Sequence, residues 1–143
     1  MAMTKGVGKI SKEAERLIQV TREALITGIK QVRLGGHTSE IGKAIQKYVE
    51  KNGFNVVRDL VGHGVGYAVH EAPEVPNFWQ AGMRDCELKQ GMVICLEPMV
   101  NMGACRVSFA DDGWTVRTSD CSLSAHFEHT VIITGRGAIV ATE

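Results

Sequence analysis

A chain of 143 residues, 44% hydrophobic and 22% charged, is long enough to bury one core and too short for two, so a single domain over 1–143 is expected. Sixteen basic residues balance sixteen acidic ones with no basic run, which argues against nucleic acid held by charge. No apolar stretch reaches the ~20 residues of a membrane span, and "MAMTKGVGKISKEAERL" lacks the apolar segment of a signal peptide, so a cytoplasmic protein with no membrane partner is expected.

Ser11 precedes an i, i+3, i+4 stripe of Ala14, Leu17, Ile18, Val20, Ala24, Leu25, Ile29 and Val32, which predicts a capped helix ended by Gly35 and Gly36. Thr38 or Ser39 can cap a second helix whose buried face is Ile41, Ile45, Tyr48 and Val49, and Asn52 with Gly53 offers its stop. Beyond Gly53 the pattern turns to strands. "FNVVRDLV" is a short β run, and "MVICLEPMV" has strand length but needs Pro98 at an edge, a bulge or a strand end. "DDGWTVRT" reads as turn then strand, "AHFEHTVIIT" as a strand, and "GRGAIVAT" as a turn and last strand. Two helices followed by strands imply an α+β fold, the helices packed on one face of a largely antiparallel sheet.

Cys86, Cys95, Cys105 and Cys121 contain no C-x-x-C pair, against a zinc knuckle or a thioredoxin-like motif. Buried, reduced thiols are expected, since two disulfides would call for an export signal. The residues that carry chemistry are His63, His70, Glu97 and Glu128. In "VGHGVGYAVHEAP" two imidazoles stand among glycines, a pattern open to a loop reading as well as to a site. Glu97 in "VICLEPMV" and Glu128 in "AHFEHTVII" are harder to set aside, because burying a lone carboxylate is unfavourable unless it is paired or bound to a cation. Imidazole with two carboxylates suits an oxygen-rich site for manganese, iron or cobalt, with zinc also open. A carboxylate shared by two metals holds them ~3.5–4 Å apart around a water activated for hydrolysis. The composition points to a metal-dependent hydrolase without naming the bond.

"GHGVGYAVHEAPEVPNF", "KQGMVICLEPMV", "DDGWTVRTSD" and "SLSAHFEHTVIIT" together closely resemble the C-terminal half of type I methionine aminopeptidases, which remove the initiator methionine from new proteins. The helical segment from "GKISKEAERL" to "KNGFNVV" is similar to the same family, so the resemblance covers nearly the whole chain. It implies the pita-bread fold, here half or truncated, and a divalent metal cofactor, two ions per site in the full family. It further implies that His63 is a ligand, that Glu97 is a ligand and the general base, and that Glu128 bridges the metals. His70 is implied to stabilise the oxyanion at the scissile carbonyl. Trp114 resembles a residue lining the methionine pocket, and Ser124 a monovalent-cation contact. The implied partner is a peptide or a nascent-protein N-terminus.

Three departures from the family pattern qualify this expectation. The family's other two ligands are aspartates of its N-terminal half, and "AMTKGVGKIS" is similar to the continuation of the strand that carries the second, so the five-ligand set falls to three. Val69 stands where many bacterial members have an aromatic pocket wall, and "NFWQAGMRDC" puts Trp79 and Met83 in place of a glycine-rich turn. A partial metal site, weak or absent activity alone, and self-association or complementation by an N-terminal half follow as expectations. Two other readings are a non-catalytic binding module of the same fold and a pita-bread peptidase acting on proline or creatine substrates. Retention of His63, Glu97 and Glu128 weighs against the first; the compact spacing with "EPMV" and "DGWT" weighs against the second.

Overall fold

A computed structural model describes residues 1–142. Helix α1 (Lys12–Ile29) starts as its sequence predicts, with the Ser11 hydroxyl accepting the Ala14 N–H at 3.1 Å. Leu17, Val20, Ala24 and Leu25 form its buried face. Helix α2 (Thr38–Lys51) buries Ile41, Ile45 and Val49. Its N-cap is His37, not Thr38 or Ser39. Those two residues instead bind Asp85, which accepts the Ser39 N–H at 2.9 Å and the Ser39 and Thr38 hydroxyls at 2.8 and 3.2 Å. A carboxylate remote in sequence thus satisfies an N–H that a helix start leaves without an intrahelical partner. Where the helices meet, a Cβ on Gly28 would come within 2.7 Å of Ile45 and 3.3 Å of Leu96, so this glycine permits the close approach of α1 to α2 and the sheet.

The strands are β1 (Asn55–Val56), β2 (Gly62–Gly64), β3 (Glu71–Val75), β4 (Val93–Leu96), β5 (Met99–Asn101), β6 (Val107–Phe109), β7 (Val116–Thr118), β8 (Ser124–His126), β9 (His129–Thr134) and β10 (Gly137–Val140). They pair antiparallel in three sheets, ordered β10-β9-β4-β2-β3, β1-β5-β8 and β6-β7. Helix α1 packs on β4, β5 and β8, so it spans both larger sheets, while α2 packs on β1 and β3. The core between helices and sheets includes Leu17, Leu25, Ile45, Leu96, Val100 and Val131, each at most 2% exposed.

Two expected strands are each divided. "MVICLEPMV" splits at Glu97 and Pro98, its first part joining the five-stranded sheet as β4 and its second the three-stranded sheet as β5. Pro98 has no N–H to give a ladder, which suits it to the gap between strands. "AHFEHTVIIT" divides in the same way into β8 and β9 around Phe127 and Glu128. The run "FNVVRDLV" is strand only at Asn55–Val56. All four cysteines are free, but only Cys95 is buried; Cys86 and Cys105 are half-buried and Cys121 is exposed. Among the described residues no helix is long and apolar enough to cross a membrane.

Removing the remote cap gives a direct test of this packing. Asp85→Ala is expected to lower stability by about 1–2 kcal/mol, read as a lower urea midpoint at unchanged slope. Burial acts on Asp85 to raise its pKa, but the Ser39 and Thr38 hydrogen bonds outweigh it and hold the carboxyl below its ordinary range. Its contribution is therefore present above the ordinary aspartate pKa and disappears as pH falls through the lowered one. Wild type and variant are expected to converge in acid urea titrations.

Candidate metal centre

His63 is not on a loop. It is the central residue of β2, with β3 on one side and β4 on the other. A Cβ on Gly62 would lie 2.2 Å from the Cys95 carbonyl oxygen, and one on Gly64 would lie 2.3 Å from that of Ala72. The glycines of "GHG" are thus needed for strand approach on both sides of the imidazole.

Cross-strand register then lines up the site. His63 lies opposite Cys95 on β4, and Cys95 lies opposite Thr130 on β9. Directly opposite residues share a sheet face, so the three side chains form a row. Glu97 follows Cys95 by two positions and Glu128 precedes Thr130 by two, where strand alternation carries the same face beyond the ladder's end. Ligand atoms of His63, Cys95 and Glu128 lie within 4.8 Å of one another. The Glu97 carboxylate sits between two imidazoles, its Oε1 3.4 Å from His63 Nε2 and its Oε2 3.4 Å from His126 Nε2.

His63 Nδ1 is 2.9 Å from the Gly64 carbonyl oxygen. A carbonyl only accepts, so Nδ1 carries the hydrogen, and Nε2 is the ring nitrogen turned toward Glu97. His126 Nε2 is buried and lacks a hydrogen-bond partner among the described residues. Thr4 fixes the His126 backbone, its hydroxyl donating to the carbonyl at 3.0 Å and accepting the N–H at 2.8 Å. Asn77 Nδ2 donates to the Glu97 carbonyl at 3.2 Å. Glu128 pairs with Ala2 in an isolated antiparallel bridge, and the Met1 ammonium lies 3.3 Å from its Oε2. Burial pushes the Cys95 thiol pKa up and the Glu128 charge raises it further, although the Thr130 hydrogen bond opposes them. The His63 imidazole, the Glu128 carboxylate, 19% exposed, and the Cys95 thiol converge on one space, with the Glu97 carboxylate, 15% exposed, against the His63 ring. That donor set fits a divalent cation.

Of the sequence candidates, His63, Glu97 and Glu128 come together here. His70 joins them through its ring, which meets that of His63 edge-on with centroids 4.2 Å apart. Both histidines line a cleft of about 780 Å³ that also includes Glu74, Arg84 and Met92. Trp114 lies in the turn between β6 and β7, 88% exposed, and Val69 is 75% exposed; neither lines that cleft. Ser124 begins β8 and its hydroxyl donates to the Val100 carbonyl at 3.2 Å. Cys95 and His126 were not among the candidates. Alternation could have found both, since each stands two residues before one of the glutamates.

With this geometry in place, the comparison with known proteins is decisive at the level of family: residues 1–135 match metallopeptidase family M24. The chain belongs to that family. This M24 chain is 54% identical over 141 residues to a methionine aminopeptidase of Clostridium perfringens, a match covering 99% of the chain and 56% of the relative. The crystal structure of methionine aminopeptidase from Thermotoga maritima superposes with a TM-score of 0.93 at 44% identity, covering 99% of this chain and 56% of that one. The Rickettsia prowazekii methionine aminopeptidase gives a TM-score of 0.90 at 44% identity, covering 95% and 55%. The fold is the α+β pita-bread architecture over that shared portion. The M24 chain spans about 56% of the length of the first two relatives.

The close approach of β4 to β2 is testable by one methyl group. Gly62→Ala is expected to destabilise the fold by about 1–3 kcal/mol or more, because the new Cβ meets backbone rather than a movable side chain. A urea midpoint equal to that of wild type would contradict the packing described.

Proposed function

We propose that this chain supplies part of the active site of a cytoplasmic methionine aminopeptidase, acting on the N-terminal methionine of nascent proteins. The observation that carries the proposal is the Glu97 carboxylate set beside His63, with Glu128 across the same face. His63, Glu97 and Glu128 are the residues of this chain that would hold divalent metal, with manganese, iron, cobalt and zinc all compatible with imidazole and carboxylate donors. A bound metal supplies Lewis-acid polarisation and a water acidic enough to attack near neutral pH. Glu97 takes the proton of the attacking water at a carboxylate oxygen and passes it toward the leaving amine. His70, exposed at the cleft and seated against His63, donates an N–H to the carbonyl oxygen as negative charge grows there. Val69 and Trp114, exposed and off the cleft in this chain, would meet the methionine side chain only in a pocket completed by a complementary half, and Ser124 would contact a monovalent cation.

The two aspartates that the family resemblance implies are not among this chain's site residues, and its relatives are nearly twice as long. The exposed apolar side chains Tyr67, Val69, Phe109 and Trp114 then offer surface to a complementary half or to a second copy of the chain. By itself the chain is a weak catalyst or none.

Hydrolysis of a Met-Ala-Ser peptide with added Mn²⁺ or Co²⁺ tests this reading. Turnover is expected to be slow or undetectable for the chain alone and to rise when a polypeptide matching the remaining part of a relative is added. Full turnover by the chain alone would refute the incomplete site. In the reconstituted enzyme His70→Ala is expected to lower kcat by about 10²–10³-fold, the loss typical of one oxyanion donor. An unchanged kcat would remove His70 from that role.

A further inference from the structure

We infer that Cys95 is a metal ligand, adding a thiolate to the imidazole of His63 and the carboxylate of Glu128. The inference rests on the metal-site reading above and adds a donor to it. Cys95 faces His63 directly across the β2–β4 ladder, and its sulfur lies within 4.8 Å of ligand atoms of both His63 and Glu128. The side chain is buried, free of any disulfide, and 3.5 Å from the Thr130 hydroxyl. The neutral thiol can donate only one weak hydrogen bond, to Glu128 or Thr130. Exchanging that proton for a cation lets the sulfur, the imidazole and the carboxylate bind one centre together. As the sulfur–metal bond forms, the S–H bond breaks and its proton leaves to solvent.

The consequence is a change in metal preference. One nitrogen and one sulfur beside the carboxylates of Glu97 and Glu128 make a mixed donor set that zinc accepts. A soft thiolate moves selection toward zinc and cobalt and away from manganese, which prefers oxygen. This chain is therefore expected to bind zinc and cobalt more tightly than an all-carboxylate site of the same charge.

Cobalt reports the sulfur directly. Co²⁺ is titrated into the chain under anaerobic, reducing conditions while the visible d–d bands and the near-ultraviolet thiolate-to-cobalt charge-transfer band are followed. Both are expected for wild type. The charge-transfer band alone is expected to vanish in Cys95→Ser, with zinc affinity falling about tenfold or more and manganese affinity nearly unchanged. A triple variant, Cys86→Ser with Cys105→Ser and Cys121→Ser, leaves Cys95 in its native surroundings and is expected to keep the band. Visible bands without charge transfer in wild type, or a band lost in the triple variant, overturn the role of Cys95 while leaving the metal site standing. Absence of visible bands in wild type overturns the metal reading and the Cys95 assignment together.

Discussion

The site depends on one constraint of chain path: two strands leave one sheet and enter another at a glutamate. Between β4 and β5 the backbone passes through Glu97 and Pro98, and between β8 and β9 through Phe127 and Glu128. At such crossings the ladder is interrupted, so a carboxylate can project into the seam instead of being packed between strands. Helix α1 holds the seam closed because it packs on β4, β5 and β8 together. Leu96 and Val100, on either side of the Glu97 crossing, are fully buried in that contact.

That arrangement brings like groups together at some energetic cost. Glu97 and Glu128 lie in a partly desolvated space around His63 and Cys95, and Glu97 Oε1 sits 3.4 Å from His63 Nε2. Protein–protein hydrogen bonds satisfy only some of these groups; His126 Nε2 has none among the described residues. A cation that binds here favours the folded arrangement over the unfolded chain by mass action, so metal affinity and stability are coupled. The glycines beside His63 serve the same geometry from the other direction. Without side chains, they let β3 and β4 approach closely enough for His63 to stand in register with Cys95.

Much of the architecture was legible because it rests on local periodicity. The Ser11 cap and the stripe through Leu17, Val20, Ala24 and Leu25 place α1, and Ile41, Ile45 and Val49 place the buried face of α2. The α2 cap was not legible, since Asp85 reaches Ser39 across 46 positions of sequence. The sheet crossings were hidden for a related reason: "MVICLEPMV" is continuous in apolar character, and only pairing partners reveal that its halves belong to different sheets. At the site, His63, Glu97 and Glu128 could be singled out because a charge within an apolar run calls for a partner. Cys95 and His126 gave no such signal, a buried cysteine being ordinary and a histidine on a strand being open to many roles.

The sequence by itself determined the helices, the strand-rich remainder, and the presence of carboxylates and imidazoles in segments too apolar to hold them without a partner. Those properties follow from side-chain spacing and solvation, which act over a few residues. Only the tertiary structure decided that Glu97 lies between His63 and His126, that Cys95 shares their face, and that Trp114 stands apart on an exposed turn. Such relations are set by ladder register and by the passage of strands between sheets, and a shift of one residue in register would turn each of these side chains to the opposite face.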